Sequence, residues 1–192
     1  MATVLVDEPV LAAPQSALDL KEHFEIIDGQ RVELPPMSAY ATRLAFRLAY
    51  KLNEFAQAQA LGEAGMETLF HLPLPVDRNR RMDVAFVSYQ RWPKGRLQSE
   101  TDNAWDVVPE LAAEVISPHD TVDDLLDRIG EYFRAGVLRV WVVYPRRRLV
   151  YVYESDTKIQ ILGRADDLDG GGILPGFRLP LTALFVEEPS SP

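Results

Sequence analysis

Met82-Asp83-Val84-Ala85-Phe86-Val87-Ser88 and Leu111-Ala112-Ala113-Glu114-Val115-Ile116-Ser117 each carry one acid inside a run that is otherwise largely apolar. Apolar runs of about 4–8 residues bounded by chain breakers read as strands buried in a sheet. An unpaired carboxylate is costly to bury, so an acid in such a strand needs a cation or a hydrogen-bonding partner. Two of them on neighbouring strands could share a hard ion such as Mg²⁺, which takes carboxylate and water oxygens. Two other readings stay open. The acids could turn outward at a sheet edge, or pair with Arg80, Arg81 or Arg128.

Working outward from these runs gives the architecture. Upstream, Phe24–Leu34 is two short β-type runs around Asp28-Gly29, a strong hairpin signal. Pro35 and Pro36 end it, Ser38 offers an N-cap, and a helix runs to about Ala60 with Leu44, Leu48, Leu52 and Phe55 on one face. A strand over 66–74 follows. Between the two acid-bearing runs lies a polar stretch, 89–108, read as a long loop carrying Tyr89, Trp92 and Trp105. Downstream of Pro118 a helix begins near Thr121. Its Val122, Leu125, Leu126, Ile129 and Phe133 form one stripe that should be buried, and Gly136 closes it. Three strands are expected at 137–144, 149–155 and 157–163. A helix, three strands, a second helix and three more strands make an α/β chain with a mixed sheet flanked by helices.

The 192 residues favour one domain, read as 21–185 between loose tails at 1–20 and 186–192. Apolar residues make up 47%, enough for an ordinary core. The absence of cysteine removes disulfides, thiolate metal sites and thiol nucleophiles, and fits a cytoplasmic location. No run reaches the roughly 18–20 apolar residues of a membrane helix. A net charge of −9 argues at first against nucleic acid. The charge is unevenly spread, however. Residues 78–96 hold Arg78, Arg80, Arg81, Arg91, Lys94 and Arg96 against Asp83 alone, and Arg146, Arg147 and Arg148 form a second cluster. Such segments are compatible with DNA or with solvated loops.

Several chemistries have no foothold. The chain lacks a phosphate-binding GxxxxGK[ST] loop, GxGxxG, HExxH and GxSxG. His23, His71 and His119 are scattered without ligand spacing.

The ordered set FEIIDGQRVE, RRMDVAFV, PELAAEVISP, DLLDRIGEY, AGVLRVWVVYP and ILPGFRLPLTALF resembles a large bacterial family of restriction endonucleases in the PD-(D/E)xK superfamily. The resemblance spans about 21–185. It implies a restriction-endonuclease-like fold and a Mg²⁺- or Mn²⁺-dependent phosphodiesterase acting on DNA. By it Asp83 and Glu114 are the metal-binding acids and the Val115 carbonyl is a further ligand. Ser117 stands where the superfamily usually has lysine, and the lysine that replaces it from the next helix falls at Arg128. Met82 replaces the usual proline. Arginine stays charged and can hold a phosphate oxygen, but it is no tunable amine, which impairs catalysis. The solvated alternative for Arg128 is an i,i+4 pair with Asp124. Glu25, Glu33 and Glu67 could complete the site, ranked below the main pair. A catalytically inactive DNA-binding module, and an interaction protein that dimerises and uses its acids only in ion pairs, are the competing expectations.

Overall fold

The computed structural model describes residues 23–96, 98, 102–117 and 120–186. The expected tail at 1–20, the expected tail at 186–192 apart from Val186, and His119 lie outside these residues.

The first hairpin is β1 (Phe24–Ile27) and β2 (Gln30–Glu33), closed by Asp28 and Gly29 at φ 53° and 72°. Two consecutive positive φ values are what a two-residue hairpin turn needs. Ser38 caps helix α1 (Ala39–Ala58), its hydroxyl accepting from the Ala41 amide at 3.2 Å. Leu44, Leu48 and Leu52 are buried along it, as the spacing predicts. The next strand, β3 (Gly62–Leu72), starts earlier than expected and runs antiparallel to β4 (Arg78–Ser88). Gly62 therefore opens a strand. A Cβ there would meet the Val87 carbonyl at 2.2 Å, so only glycine lets the two backbones approach.

After the long loop come β5 (Leu111–Val115), helix α2 (Val122–Ala135), β6 (Arg139–Tyr144), β7 (Leu149–Tyr153) and β8 (Ile159–Leu162). The eight strands form one mixed sheet in the order β2-β1-β4-β5-β6-β7-β8, with β3 on the other side of β4. Among the described strands only β5 and β6 pair in parallel, and α2 is the crossover between them. A separate hairpin, β9 (Asp167–Gly170) with β10 (Leu174–Pro180), precedes the short helix α3 (Leu181–Leu184).

Each sheet face has its own core. Helix α1, the β9–β10 hairpin and α3 cover one face, where Val84, Phe86, Ala113, Trp141 and Val143 meet Leu44, Leu48, Phe177 and Leu181. Helix α2 covers part of the other, with Leu125, Ile129 and Tyr132 against Ala85, Ala112, Val140 and Val142.

The buried face of α2 is not the stripe its apolar spacing predicts. Val122 is 70% exposed and Leu126 48% exposed, whereas Leu125, Ile129 and Tyr132 are buried. The helix is rotated so that Glu131 also turns inward and Arg128 becomes largely covered. Ion pairs beneath the helix fix this rotation.

Candidate active site

The site begins with an interruption in the sheet. Strand β4 pairs along its whole length with β3 on one side. On the other side it pairs with β1 at Arg78 and Asn79, then with β5 at Val84, Ala85 and Phe86. Residues 80–83 face a notch between β1 and β5, where no strand among the described residues supplies ladder partners. Carboxylates fill that role. Glu25 Oε1 accepts from the Arg81 amide at 2.9 Å, and Asp83 Oδ2 accepts from the Val115 amide at 2.6 Å. Acids are thus built into the backbone pairing at the split.

The registers align three acids. Val84 pairs with Ala113, so Asp83 stands opposite Glu114 one step further along these antiparallel strands. On the other side Met66 pairs with Val84 and Thr68 with Met82, which puts Glu67 opposite Asp83. Glu67 has a left-handed φ of 52°, uncommon for a residue with a side chain, and its Oε1 is buried without a hydrogen-bond partner. Its other oxygen lies 3.6 Å from His23 Nδ1.

Arginines from β4 and α2 meet these acids. Arg128 Nη1 donates to Glu114 Oε2 at 3.2 Å and lies 3.5 Å from Glu25 Oε1. The Tyr132 hydroxyl, one turn further along α2, donates to Glu114 Oε1 at 2.6 Å. Glu25 is fully buried and also accepts from Arg80 Nη1 at 2.8 Å. Arg80 Nε donates in turn to Glu131 at 2.7 Å. Arg128 therefore does not make the solvated pair with Asp124, whose carboxylate instead meets Thr121 Oγ1 at the helix cap.

Burial dominates the electrostatics. It pushes the Asp83 carboxyl well above its ordinary range, with the Glu114 charge adding to the rise and Glu67 contributing less. Burial also raises Glu114, to about 7, although Arg128 and the Tyr132 hydroxyl pull it down. Glu67 is raised by burial too, against the charges of His23 and Arg81. Burial disfavours the Arg128 cation, but Glu114, Tyr132, Glu25 and Asp83 outweigh it and hold the guanidinium charged.

The donor set can be tested against a divalent cation. Among the described residues no group of three or more His, Cys, Asp or Glu is arranged to hold a metal. Mg²⁺, however, is ordinarily bound through one or two carboxylates and keeps several waters. Asp83 and Glu114 on neighbouring strands, with the last carbonyl of β5 beside them, are hard oxygen donors of that kind. Opposite Asp83, the buried Glu67 Oε1 has no hydrogen-bond partner, an oxygen that a cation or its waters would satisfy, so the residues fit such an ion.

The sequence reading named Asp83, Glu114, Val115 and Arg128, and the fold brings all four together. It ranked Glu25 and Glu67 low, yet both border the notch, while Glu33 is exposed on β2. It missed Tyr132 and Glu131. The signal available for Tyr132 was its position four residues after Arg128, one helical turn along the same face.

The model of the Uma2 family, described as "Putative restriction endonuclease", matches residues 12–182. Among solved structures, the chain is similar to the crystal structure of "a putative nuclease belonging to DUF820" from Anabaena variabilis. The TM-score is 0.73 and the identity 17%, over 86% of this chain and 90% of that one. That likeness shows the fold. No curated protein matches the chain.

Proposed function

This chain belongs to the Uma2 family, and from that membership we propose that it is a divalent-metal-dependent DNA endonuclease working at the Asp83–Glu114 notch. The observation that carries the reading is the register that opposes Asp83 and Glu114 on adjacent strands beneath Arg128.

Asp83 and Glu114, with the Val115 carbonyl, would hold Mg²⁺ or Mn²⁺. When bound, the ion supplies a Lewis acid for the phosphate oxygens and lowers the pKa of water at the site. The chain's own groups do the rest. The Val115 amide fixes one Asp83 oxygen, and Tyr132 fixes one Glu114 oxygen, so each carboxylate keeps a set orientation. Arg128 brings permanent positive charge beside them, suited to a non-bridging phosphate oxygen. Its proton is too tightly held for it to serve as an acid or base. Glu25 limits how far Arg128 can swing toward a phosphate, because the two form an ion pair.

That clamp favours a second reading, a DNA-binding module with little or no cleavage, in which Arg128 acts as the standing counter-ion of Glu114. One experiment separates the two. Mn²⁺ is titrated calorimetrically into the wild type and Asp83→Ala, and both are then assayed for plasmid nicking. The endonuclease reading expects binding and nicking that Asp83→Ala abolishes. Binding without nicking selects the second reading, and no binding by the wild type overturns metal dependence.

A further inference from the structure

We propose that the turn between β6 and β7, residues 145–148, is a second DNA contact in which Arg146 and Arg147 bind backbone phosphates flanking the notch; this rests on the nuclease reading above.

Strand direction places the turn. β5 and β6 are parallel neighbours, with Glu114 opposite Val142 and Val115 opposite Val143. Both therefore leave the sheet at the same end, so the turn beyond Tyr144 stands beside the end of β5. At about 3.3 Å per residue, Arg146 lies no more than roughly 13 Å past the level of Glu114. A duplex advances about 3.4 Å per base pair, so this reach corresponds to roughly three or four base pairs from a phosphate at the notch.

Charge identifies the partner. Arg78, Arg80, Arg128 and Arg139 are each engaged by acids. Arg146 and Arg147 are exposed and have no ion pair or hydrogen bond among the described residues. Two adjacent cations in a tight turn repel one another, and a polyanion relieves that repulsion. Asp123 and Asp124, in the first turn of α2, follow β5 at the same end of the sheet. They repel phosphate, so a duplex is steered off α2 and toward the arginine turn.

The test measures duplex binding by fluorescence anisotropy across a salt series, with Ca²⁺ replacing Mg²⁺ or Mn²⁺ so that cleavage is suppressed. It compares wild type, Arg146→Gln/Arg147→Gln, and Lys94→Gln, which removes one charge from the loop before β5. Each lost phosphate contact lowers the salt slope by about 0.9. The double variant should therefore lose about 2 from its slope and bind more weakly at low salt, with its melting temperature unchanged, while Lys94→Gln matches the wild type. If the wild type binds and the double variant shares its slope, the inference falls and the nuclease reading stands. An equal loss in Lys94→Gln also overturns it, because the effect would then be general charge. If the wild type binds no duplex at any salt, both fall, and tighter binding to duplex RNA with the same arginine dependence overturns DNA as the partner.

Discussion

Glu25 shows what a single buried residue holds together here. Its carboxylate meets Arg80, Arg128 and the Arg81 amide with no exposure to water. Removing one partner from a buried charge network leaves the others uncompensated, which typically costs about 3–5 kcal/mol. Glu25→Gln should lose about that much in urea denaturation, and a loss below about 1 kcal/mol would mean the network is already screened by solvent. Glu114 offers a pH signature. Its pKa is raised from 4.5 in the unfolded chain to about 7, chiefly by burial. Between those values the folded state holds a proton that the unfolded state has released. Its contribution is thus fully present below pH 4.5 and is lost as pH rises through about 7, a difference of about 3 kcal/mol. In metal-free protein, the stability gap between Glu114→Gln and wild type should widen in favour of the variant from pH 5 to 8. A constant gap would show that Glu114 titrates normally. Asp83 and Glu114 were legible in the sequence because acids are conspicuous in apolar runs. Glu67 was not, since its strand also carries Glu63, Thr68 and His71, and Glu25 was not, since its four-residue strand gives a run too short to mark it; only the register brings them to the notch.

Helix α2 carries the same lesson at the level of an element. Its apolar residues suggest a stripe through Val122 and Leu126, because amphipathic reading sends every charge to water. The observed buried face is Leu125, Ile129 and Tyr132, with Arg128 and Glu131 alongside, since both find opposite charges beneath the helix. Ile129→Ala should cost about 2–5 kcal/mol as a core truncation. Leu126→Ala, half-exposed, should cost less than about 1 kcal/mol. Chemical denaturation of the two variants checks the register, and the opposite ranking would restore the sequence-based stripe. Strands β4 to β8 were readable from apolar runs, rich in β-branched and aromatic residues in β6 and β7. The β9–β10 hairpin escaped because Gly170, Pro175, Gly176 and Pro180 break any periodic pattern, and its pairing is itself irregular between Leu174 and Arg178. It holds its place through tertiary packing, with Phe177 against Phe55 and Trp141.

For the whole molecule, the acid row is a source of stored repulsion that a cation can release. Glu67, Asp83 and Glu114 lie across three adjacent strands, and the two outer charges each raise the central carboxyl. Folding the metal-free chain therefore forces one of them to protonate or leaves negative charges opposed in a poorly solvated notch. A ligand bound only by the folded state stabilises it by about 2.7 kcal/mol at one hundred times its Kd. For a chain of this size that is a rise of about 5–10 °C in Tm. Mn²⁺ should produce such a rise in the wild type at pH 7.5. Asp83→Asn should behave oppositely in two respects. The amide oxygen can still accept from the Val115 amide, while the central charge is gone, so the metal-free variant should be more stable than wild type by on the order of 1 kcal/mol. Its Tm should then fail to respond to Mn²⁺, because the neutral amide is a far poorer ligand for a hard cation. Calorimetric melting of both proteins with and without Mn²⁺ reads all four values. An Asp83→Asn protein that melts below wild type without metal, and still gains as much from Mn²⁺, would place both the repulsion and the cation elsewhere in the fold.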